Sequence, residues 1–437
     1  MSSADLQSQI RLGRPEDLYY YSESSLRKQT IPTFQNTQFT QNISPTAGRG
    51  NYQVIFSRNQ GVSHIIIGAK LKKHTGATGL NYTGIAVGRS WLANLVDRVS
   101  YRIGSSSQYW QTGQQMLIAN CLEATNASSK QDMVMMAGQA LSTVAQFGGD
   151  PDIGESLLYA YLYFNLPTNK PYCGTESPLP LPTELLNSNV VLSIDLNPLS
   201  SIYSTLDSNG SVANAPDALE NLYVQFQQIT AVDGGELMKM SGDASKMYSL
   251  PCKGFYTQEI QIAIPAGGNG LTTDLALTGF QNGQVKSIIA WLTADTDVSP
   301  ASTSAPFVRN PNVFAYGRDW TLKYNGQIIH YFPGTSATMW GQLLSDVAPY
   351  FDAVKMTISG GAFVPVDKRS NFVVFPLGQN IEGQNPHLLV NGRSIGTSIM
   401  NLQVRVPDPT VAYTLHVMYF YNTVLAISGN GEASFMF

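Results

Sequence analysis

The sequence carries little charge. Of its 437 residues, 13% are Asp, Glu, Lys or Arg, where about 25% is usual for soluble domains. The 26 basic and 30 acidic residues give a formal net charge of −4. Binding to nucleic-acid phosphates needs an excess of Lys and Arg, so this balance excludes a polybasic nucleic-acid binder. The 43% of hydrophobic residues also exclude disorder as the dominant state.

Cysteines and long apolar runs are scarce as well. The three cysteines, Cys121, Cys173 and Cys252, are an odd set that argues against a disulfide framework. We expect buried, unreactive thiols in a protein made in a reducing compartment. The most compact apolar run, at 157–164, is much shorter than the roughly 18 residues of a membrane-spanning helix. The N-terminus lacks a continuous apolar segment, so we expect no secretory signal.

Convergent sets of acid, base or metal-ligand residues are missing too. The five histidines lie far apart in the sequence: His64, His74, His330, His387 and His416. Zinc and nucleophilic sites need His, Cys and carboxylate groups that converge. The alternation of His416 with Leu415 and Val417 predicts an ordinary surface histidine. The sequence therefore predicts no catalytic, metal or cofactor-binding residue, and a protein that is not an enzyme.

Three short segments resemble ligand loops only in part. The Gly-rich segment at 266–270 has no following Lys-Ser/Thr pair, so we expect a hairpin loop rather than a phosphate site. The carboxylates at 295–297 lack the glycine turn and terminal glutamate of a calcium loop. The Asp-Pro-Asp segment at 150–152 is an equally weak metal signal.

Short runs in which apolar and polar residues alternate dominate the chain after the N-terminal arm. Alternation with a period of two is the pattern of a half-buried strand. Clear cases are the apolar sets Val190/Leu192/Ile194/Leu196, Leu222/Val224/Phe226, Met400/Leu402/Val404/Val406 and Leu415/Val417/Tyr419/Tyr421. Helical periodicity is strong only at 129–147, with a methionine-rich face, and at 335–347. So few helices disfavour a parallel α/β sheet.

The chain repeats itself once. The run at 99–103 matches the run at 320–324 in residue class at every position, and the alternation phase is kept. A glycine turn follows each run, at Gly104 and at Asn325-Gly326, and the latter is a strong hairpin signal. The aromatic segments 108–110 and 330–332 come next in each copy. This order predicts two similar β domains.

We assign residues 1–45 to an N-terminal arm, 46–243 to a first jelly roll and 244–437 to a second one. The arm has four basic and four acidic residues and is neutral. The junction lies in the Gly/Asp/Ser/Lys stretch at 233–246. Each half has the length and the strand count of an eight-stranded jelly-roll sandwich. The predicted fold is all-β, with two such sandwiches in tandem and few short helices in loops.

Three groups of residues carry a resemblance to a known family. The aromatic run at 162–165, the Leu-Pro-Leu element at 179–181 and the strand that ends at Leu196 form the first group. The second is the strand at 99–104, and the third is the closing strand with its Ser-Gly-Asn-Gly segment at 428–431. In this order they resemble the double jelly-roll major capsid proteins of double-stranded DNA viruses, as found in large nucleocytoplasmic DNA viruses, virophages and polinton-like viruses.

The resemblance implies a structural role in a virus shell. Three chains with two upright sandwiches each would form a pseudo-hexameric homotrimer that tiles an icosahedral capsid. The implied partners are copies of the chain, neighbouring trimers, and minor capsid and penton proteins, with an internal membrane as an open alternative. The implied location is the virion, after synthesis in the reducing host cytoplasm or nucleus. The resemblance implies no cofactor and no sequence-specific nucleic-acid binding.

Two other functions stay open at this point. A carbohydrate-binding or host-attachment protein on the same scaffold would use exposed aromatics such as Trp110 or Trp340. A hydrolase on a β-sandwich would need a paired acid and base, for which the sequence offers no candidate.

Overall fold

The structure of the chain is a computed structural model. The described residues are 34–43, 50–57, 61–72, 85–87, 90–104, 107–123, 136–138, 158–164, 166, 181, 183–199, 202–205, 219–231, 247–263, 270–278, 284–294, 317–332, 354–359, 362–367, 372–377, 393–394, 399–406 and 408–436. None of the helices in these segments has the length and apolar character needed to cross a membrane.

Within its described residues, the first half contains ten strands and two short helices. The strands are β1 (Phe34–Ile43), β2 (Gly50–Phe56), β3 (Gly61–Leu71), β4 (Ile85–Val87), β5 (Val96–Ile103), β6 (Ser107–Gln111), β7 (Tyr159–Phe164), β8 (Val190–Leu196), β9 (Tyr203–Thr205) and β10 (Leu219–Ala231). The helices are α1 (Trp91–Leu95) and α2 (Gly113–Glu123), and a short 3₁₀ turn covers Thr183–Leu185.

The described part of the second half contains twelve strands. They are β11 (Met247–Ile262), β12 (Leu275–Ala276), β13 (Gln284–Ala294), β14 (Arg318–Tyr324), β15 (Gln327–Phe332), β16 (Val354–Ser359), β17 (Ala362–Asp367), β18 (Phe372–Pro376), β19 (Arg393–Ser394), β20 (Met400–Arg405), β21 (Tyr413–Ser428) and β22 (Ala433–Met436).

Both halves use one strand order. In the first half the sheets run β1-β10-β3-β7 and β2-β8-β5-β6, and in the second half they run β11-β21-β13-β18 and β12-β20-β14-β15. Strands β19 and β22 extend the larger sheet of the second half, and β4-β9 and β16-β17 form small two-stranded sheets. All pairings are antiparallel. Two four-stranded antiparallel sheets per half make an eight-stranded jelly roll, so the predicted fold class is confirmed.

The alternating runs bury the face that their pattern predicts. In β8 the side chains of Val190, Leu192 and Ile194 are fully buried, and in β20 the same holds for Leu402 and Val404. Each run places its apolar side chains between the two sheets of its own half, because successive side chains on a strand point to opposite faces. Two hydrophobic clusters result, one centred on each half.

The internal repeat is real at the level of strand pairing. Strand β5 lies between β8 and β6, as β14 lies between β20 and β15. The predicted match between the aromatic segments 108–110 and 330–332 is wrong by one residue. Ser100 and Thr321 are equivalent positions of the repeat, and Ser100 pairs with Trp110 while Thr321 pairs with Tyr331. The cause is a bulge in β15, which adds one residue to that strand and shifts the β14–β15 register between residues 322 and 323. A comparison of residue classes does not reveal such a bulge. Trp110 therefore corresponds to Tyr331, and Tyr109 to His330.

The turn predictions have mixed outcomes. Asn325 and Gly326 join β14 to β15 with φ values of 50° and 79°, as a tight hairpin turn requires. Residues 266–269 of the predicted hairpin loop lie outside the described residues. The described strands on either side, β11 and β12, belong to different sheets, and Leu271 bridges to Arg405. A jelly roll needs such crossings, because its chain passes repeatedly from one sheet to the other.

Of the two predicted helices, the structure describes only residues 136–138, and of these only Met136 is helical. The continuous helix predicted at 129–147 is interrupted, since Ala137 lies in a turn and Gly138 has a φ of 125°. The Gly138 carbonyl accepts a hydrogen bond from the Ser90 N–H, which ties this turn to the start of α1. The rest of this segment and the helix predicted at 335–347 lie outside the described residues. Neither α1 nor α2 was predicted.

Part of the predicted arm belongs to a sheet. Residues 34–43 form strand β1, which pairs along its whole length with β10. Its sequence, FQNTQFTQNI, alternates weakly and is mostly polar, so the pattern alone gave little signal for a strand. The other residues assigned to the arm lie outside the described part of the chain.

Candidate functional site

The larger sheet of the second half is buried on both faces. Its inner face, with Val417 and Tyr419 of β21, joins the second hydrophobic cluster. Its outer face, with Trp291, Met418 and Phe420, joins the cluster centred on the first half. This outer face therefore packs against the first sandwich, and we call the contact between the two sandwiches the seam.

Aromatic rings form the centre of the seam. The Tyr109 ring on β6 lies 6.2 Å from the Phe255 ring on β11 and 6.5 Å from the Phe435 ring on β22. Tyr109 also meets Phe164 of the first core edge to face at 5.9 Å. Phe255 in turn meets Phe420 edge to face at 4.4 Å. Tyr109 thus connects the core of the first sandwich to the outer face of the second.

A glycine turn fastens the seam at one end. Gly431 has a φ of 80° and lies in the turn between β21 and β22. Its carbonyl accepts a hydrogen bond from the Asn187 N–H at 2.9 Å. A Cβ atom at residue 431 would lie 2.5 Å from the Asn187 nitrogen, so only glycine combines this φ with this approach. The Ser-Gly-Asn-Gly segment singled out in the sequence is therefore a contact between the two halves.

His416 lies on the outer face of the same sheet, as the alternation predicts, but it is not an ordinary surface histidine. Its side chain is 16% exposed and its ring stacks on Trp291, at 5.2 Å and an interplanar angle of 9°. Its Nε2 lies 2.9 Å from the Thr293 hydroxyl, and its Nδ1 lies 3.3 Å from a Glu259 carboxylate oxygen. The hydrogen bond from His416 lowers the pKa of Glu259, and burial of the carboxyl opposes this shift.

A row of tyrosines lies on the outer face of the corresponding sheet in the first half. Tyr159, Tyr161 and Tyr163 of β7 and Tyr223 of β10 point away from the core and are partly exposed. Tyr161 and Tyr223 both pair with Gly68 on the strand between them, and their rings meet edge to face at 6.2 Å. We call this surface the tyrosine face. Burial is the main cause that raises the pKa of Tyr223, and its hydrogen bond to Tyr161 adds to the shift.

The edge strand of the second half exposes apolar side chains. Ile328 is 62% exposed and Tyr331 is 53% exposed, both on β15. The neighbouring His330 points inward, and its Nε2–H donates to the Pro376 carbonyl of β18 at 2.7 Å. His330 thereby bridges β15 and β18 as Tyr109 bridges β6 and β7. We call the surface formed by Ile328, His330 and Tyr331 the β15 edge.

The described candidates for chemistry do not come together. Within the described segments, no group of three or more His, Cys, Asp or Glu side chains could hold a metal ion. His64 sits at a β-bulge of β3, and Cys252 is a buried free thiol. His74, His387, Cys173 and the segments 150–152 and 295–297 lie outside the described residues, as does the side chain of Cys121. The prediction of no catalytic, metal or cofactor site stays a prediction.

The aromatic named for sugar binding has a charged neighbour. The Arg98 guanidinium lies over the Trp110 ring, 5.6 Å from its centre. A cation in this position stabilises the ring in place and occupies one of the faces on which a sugar would stack. Trp340 lies outside the described residues.

The sequence analysis did not predict the tyrosine face or the seam, although the sequence contains a pattern for each of them. Tyr159, Tyr161 and Tyr163 alternate with inward apolar residues, so three large aromatics share one outward face. Residues 415–421 are apolar at six of seven positions. A nearly continuous apolar run is the pattern of a strand buried on both faces.

The fold of this chain is similar to the folds of solved virus capsid chains. A chain of the PBCV-1 virus capsid has a TM-score of 0.60 at 14% identity, covering 94% of this chain and 98% of that one. A chain of the Sputnik virophage has a TM-score of 0.54 at 12% identity, covering 94% and 90%. The Faustovirus major capsid protein has a TM-score of 0.51 at 9% identity, covering 98% and 99%. Neither a protein-family model nor a curated protein matches the sequence.

Proposed function

We propose that this protein is a major capsid protein that builds an icosahedral virus shell as a pseudo-hexameric homotrimer. The observation that carries the proposal is that one chain contains two sandwiches with the same strand order in both sheets. Three such chains around a threefold axis present six similar units, which suits a hexagonal tile. The similarity to the fold of virus capsid chains supports the same role.

The internal construction of the chain also suits a tile. The seam fixes the two sandwiches against each other through buried aromatic rings and the Gly431 turn. A rigid pair of sandwiches can keep one geometry at every position of a facet. Obligate side-to-side contacts bury on the order of 2,000 Å² or more. A chain with 13% charged residues can bury such an area without many unpaired charges.

We keep the division into an arm, a first jelly roll and a second jelly roll as part of the proposal. Every described four-stranded or larger sheet takes its strands from one side of the junction at 233–246, which supports a boundary there. Because β1 pairs with β10 along its whole length, we propose that the first jelly roll also includes residues 34–43.

The proposed partners are copies of this chain, first in the trimer and then in neighbouring trimers, followed by minor capsid and penton proteins. An internal membrane under the shell is a further candidate. The proposed location is the virion, with synthesis in the reducing host cytoplasm or nucleus. The buried free thiol of Cys252 is compatible with that compartment. The role is structural and needs no catalytic residue, cofactor or sequence-specific contact to nucleic acid.

The experiment is a mass and shape measurement on the purified full chain. Light scattering after size exclusion is expected to give three times the chain mass of 47.5 kDa, and negative-stain micrographs are expected to show a hexagonal outline. A stable monomer across micromolar concentrations, or a particle without threefold symmetry, would contradict the proposal. A glycan array with specific hits on such a monomer would favour the attachment alternative.

A further inference from the structure

Two exposed arginines flank a tryptophan on the outer face of the sheet β2-β8-β5-β6. Arg98 and Arg102 lie on the same side of β5, about 13 Å apart along the strand. Ser100 lies midway between them, and its register partner on β6 is Trp110. The Arg98 guanidinium lies over the Trp110 ring, and its Nε–H donates to the Ser100 hydroxyl oxygen at 3.1 Å. These contacts fix the tryptophan ring on the sheet.

An apolar row continues this surface to the edge of the sheet. Arg102 pairs in register with Val191 of β8, and Val191 pairs with Ile55 of β2. Register partners point to the same side of a sheet, so the isoleucine and the guanidinium share the outer face. Ile55 is 59% exposed. We call the surface formed by Ile55, Arg98, Arg102 and Trp110 the β5 face.

The two positive charges of the β5 face are not compensated equally. Arg98 has two carboxylates beside it, since Asp97 precedes it on β5 and Asp195 is its register partner on β8. Arg102 instead has the apolar Val191 as its register partner, and within the described segments it takes part in no ion pair. The β5 face therefore presents one uncompensated cation close to an isoleucine and a tryptophan.

The corresponding surface of the second half lacks both features. By the register of the repeat, Lys323 takes the place of Arg102 and Ala276 takes the place of Ile55. The Lys323 ammonium lies 2.8 Å from an Asp274 carboxylate oxygen. The cation at this position of the second half is thus compensated within the chain, and the large apolar side chain is missing.

This difference between the halves points to a ligand that binds once per chain. The counterpart of Arg98 is Asp319, whose carboxylate pairs with Arg405 at 2.7 Å. Contacts made by all six similar units of a trimer would need the same residues in both halves. A second copy of this chain also offers no complement through its equivalent face, because the carboxylates there already have cationic partners.

The composition of the β5 face favours a peptide over a uniformly charged polymer. Arginine and tryptophan are the side chains that most often dominate the binding energy of protein interfaces. Exposed apolar surface gains free energy from contact with apolar groups, which sulfates and phosphates do not provide. Asp97 and Asp195 repel a polyanion at the Arg98 end of the face. A peptide can instead place a carboxylate on Arg102 and an apolar side chain on Ile55.

We infer that the β5 face binds an acidic segment of another shell protein, with a carboxylate on Arg102 and an apolar side chain on Ile55. The segment binds once per chain, at the first half. This inference rests on the proposed capsid function, from which the partner is taken, and it gives the minor capsid proteins named there a docking surface and a chemistry.

A photo-crosslinking experiment on the purified full chain tests the inference. The probe is a short synthetic peptide in which a photoreactive leucine is flanked by Glu residues. Irradiation, digestion and mass spectrometry are expected to find the label on β2, β5 and β6. A control peptide with Gln in place of Glu is expected to label these strands weakly. Labelling spread evenly over the chain, or none on these strands, overturns the inference.

Matched variants assign the labelling to individual side chains. Arg102→Gln is expected to reduce it by about tenfold, the usual effect of losing one dominant interface residue. Ile55→Ser is expected to reduce it as well. Lys323→Gln is the control, because it removes the compensated cation at the corresponding position of the second half, and its labelling should equal that of the wild type. Equal losses in Arg102→Gln and Lys323→Gln overturn the inference, and circular dichroism checks that each variant is folded.

Two further measurements separate the remaining outcomes. Light scattering on the same sample tests the proposed function: a trimer without specific labelling overturns only the inference, whereas a protein that is not a trimer overturns the proposed function and with it the shell partner. A fluorescent heparin fragment tests the class of ligand. Heparin that binds more tightly than the peptide, and is lost in Arg102→Gln, identifies a polyanion site and overturns the assignment to a peptide.

Discussion

Gly68 and Tyr223 face each other on neighbouring strands, and the Tyr223 ring fills the space that a side chain at residue 68 would need. Because Gly68 has no side chain, the rings of Tyr223 and Tyr161 reach each other across the strand between them. The tyrosine face therefore depends on a glycine at its centre.

Gly68→Ala is expected to lower the free energy of unfolding by about 1–3 kcal/mol, the usual cost of overpacking. Denaturant unfolding measures the change. The matched test is the double variant Gly68→Ala/Tyr223→Leu, in which the smaller side chain makes room and part of the loss is recovered. If the double variant loses as much free energy of unfolding as the two single variants combined, the clash between residue 68 and the Tyr223 ring is not the cause of the loss.

Gly431→Ala should destabilise the protein by about 2 kcal/mol or more, because left-handed strain adds to a clash with the Asn187 backbone. Gly326→Ala is the control, since its φ of 79° nearly equals the 80° of Gly431 and nothing lies within 4 Å of the added carbon. That variant should cost only about 1–2 kcal/mol. If thermal unfolding shows that Gly431→Ala and Gly326→Ala lose the same amount of stability, the close approach of Gly431 to Asn187 contributes nothing.

Removal of an aromatic ring from the seam should weaken the coupling between the two sandwiches. Phe420→Ala deletes a buried ring that packs on Phe255, and the expected cost is about 3–5 kcal/mol. Ile399→Ala serves as the comparison, because Ile399 is 65% exposed and its loss should stay within about 0.5 kcal/mol. Calorimetry should resolve two transitions for Phe420→Ala, and a single unshifted transition would count against the seam.

The pH dependence of stability should contain a contribution from His64. Burial lowers the pKa of His64 below 6.5, and its hydrogen bond to Gln227 only partly opposes this shift. The unfolded chain then takes up a proton more readily than the folded one, so this contribution is complete above pH 6.5 and is lost as the pH falls through the folded pKa.

His64→Asn should remove this part of the acid sensitivity. Asparagine tolerates the φ of 50° at this bulge, so the variant keeps the backbone geometry and loses the titrating ring. Unfolding curves between pH 7 and 5 compare the two proteins. The prediction would be contradicted if, as the pH falls from 7 to 5, the wild-type protein loses stability no faster than His64→Asn does.

Cys252 should not react with thiol reagents in the folded protein. Burial raises the pKa of its thiol to about 12, which the hydrogen bond involving Leu425 only partly offsets. At pH 8, roughly one thiol in ten thousand is then ionised, and only the thiolate is reactive. Iodoacetamide followed by peptide mass spectrometry should find Cys252 unlabelled, and labelled in guanidinium. Labelling of the native protein at the denatured rate would disprove its burial.

Strand patterns were predictable because they follow from one physical rule. A strand between a core and an exterior must alternate, so the alternating runs that begin at Val190 and Met400 predict β8 and β20. Helix α2 could not be recognised, because Met116, Leu117, Ile118 and Ala119 are all buried. A helix that is surrounded by protein has no polar face, and its periodicity disappears.

The seam and the β15 edge were harder to predict than the fold. The inserted residue, Ile329, moves Tyr331 onto the outer side of β15, and residue order alone gives no sign of the bulge. Burial of Phe420 depends on the first sandwich, which alternation within β21 cannot show. Both surfaces result from contacts between distant parts of the chain.

The hydrogen bond between Asn187 and Gly431 also constrains the order of events during synthesis. Its two residues are more than half a chain apart, and domains generally fold as units, N-terminal first, while the ribosome is still elongating. The first sandwich can form before β21 and β22 have been translated. Until Phe255 and Phe435 are in place, the side of this sandwich that carries Tyr109 is exposed to water. The closing hairpin therefore covers this aromatic side of the first sandwich only after that sandwich has formed.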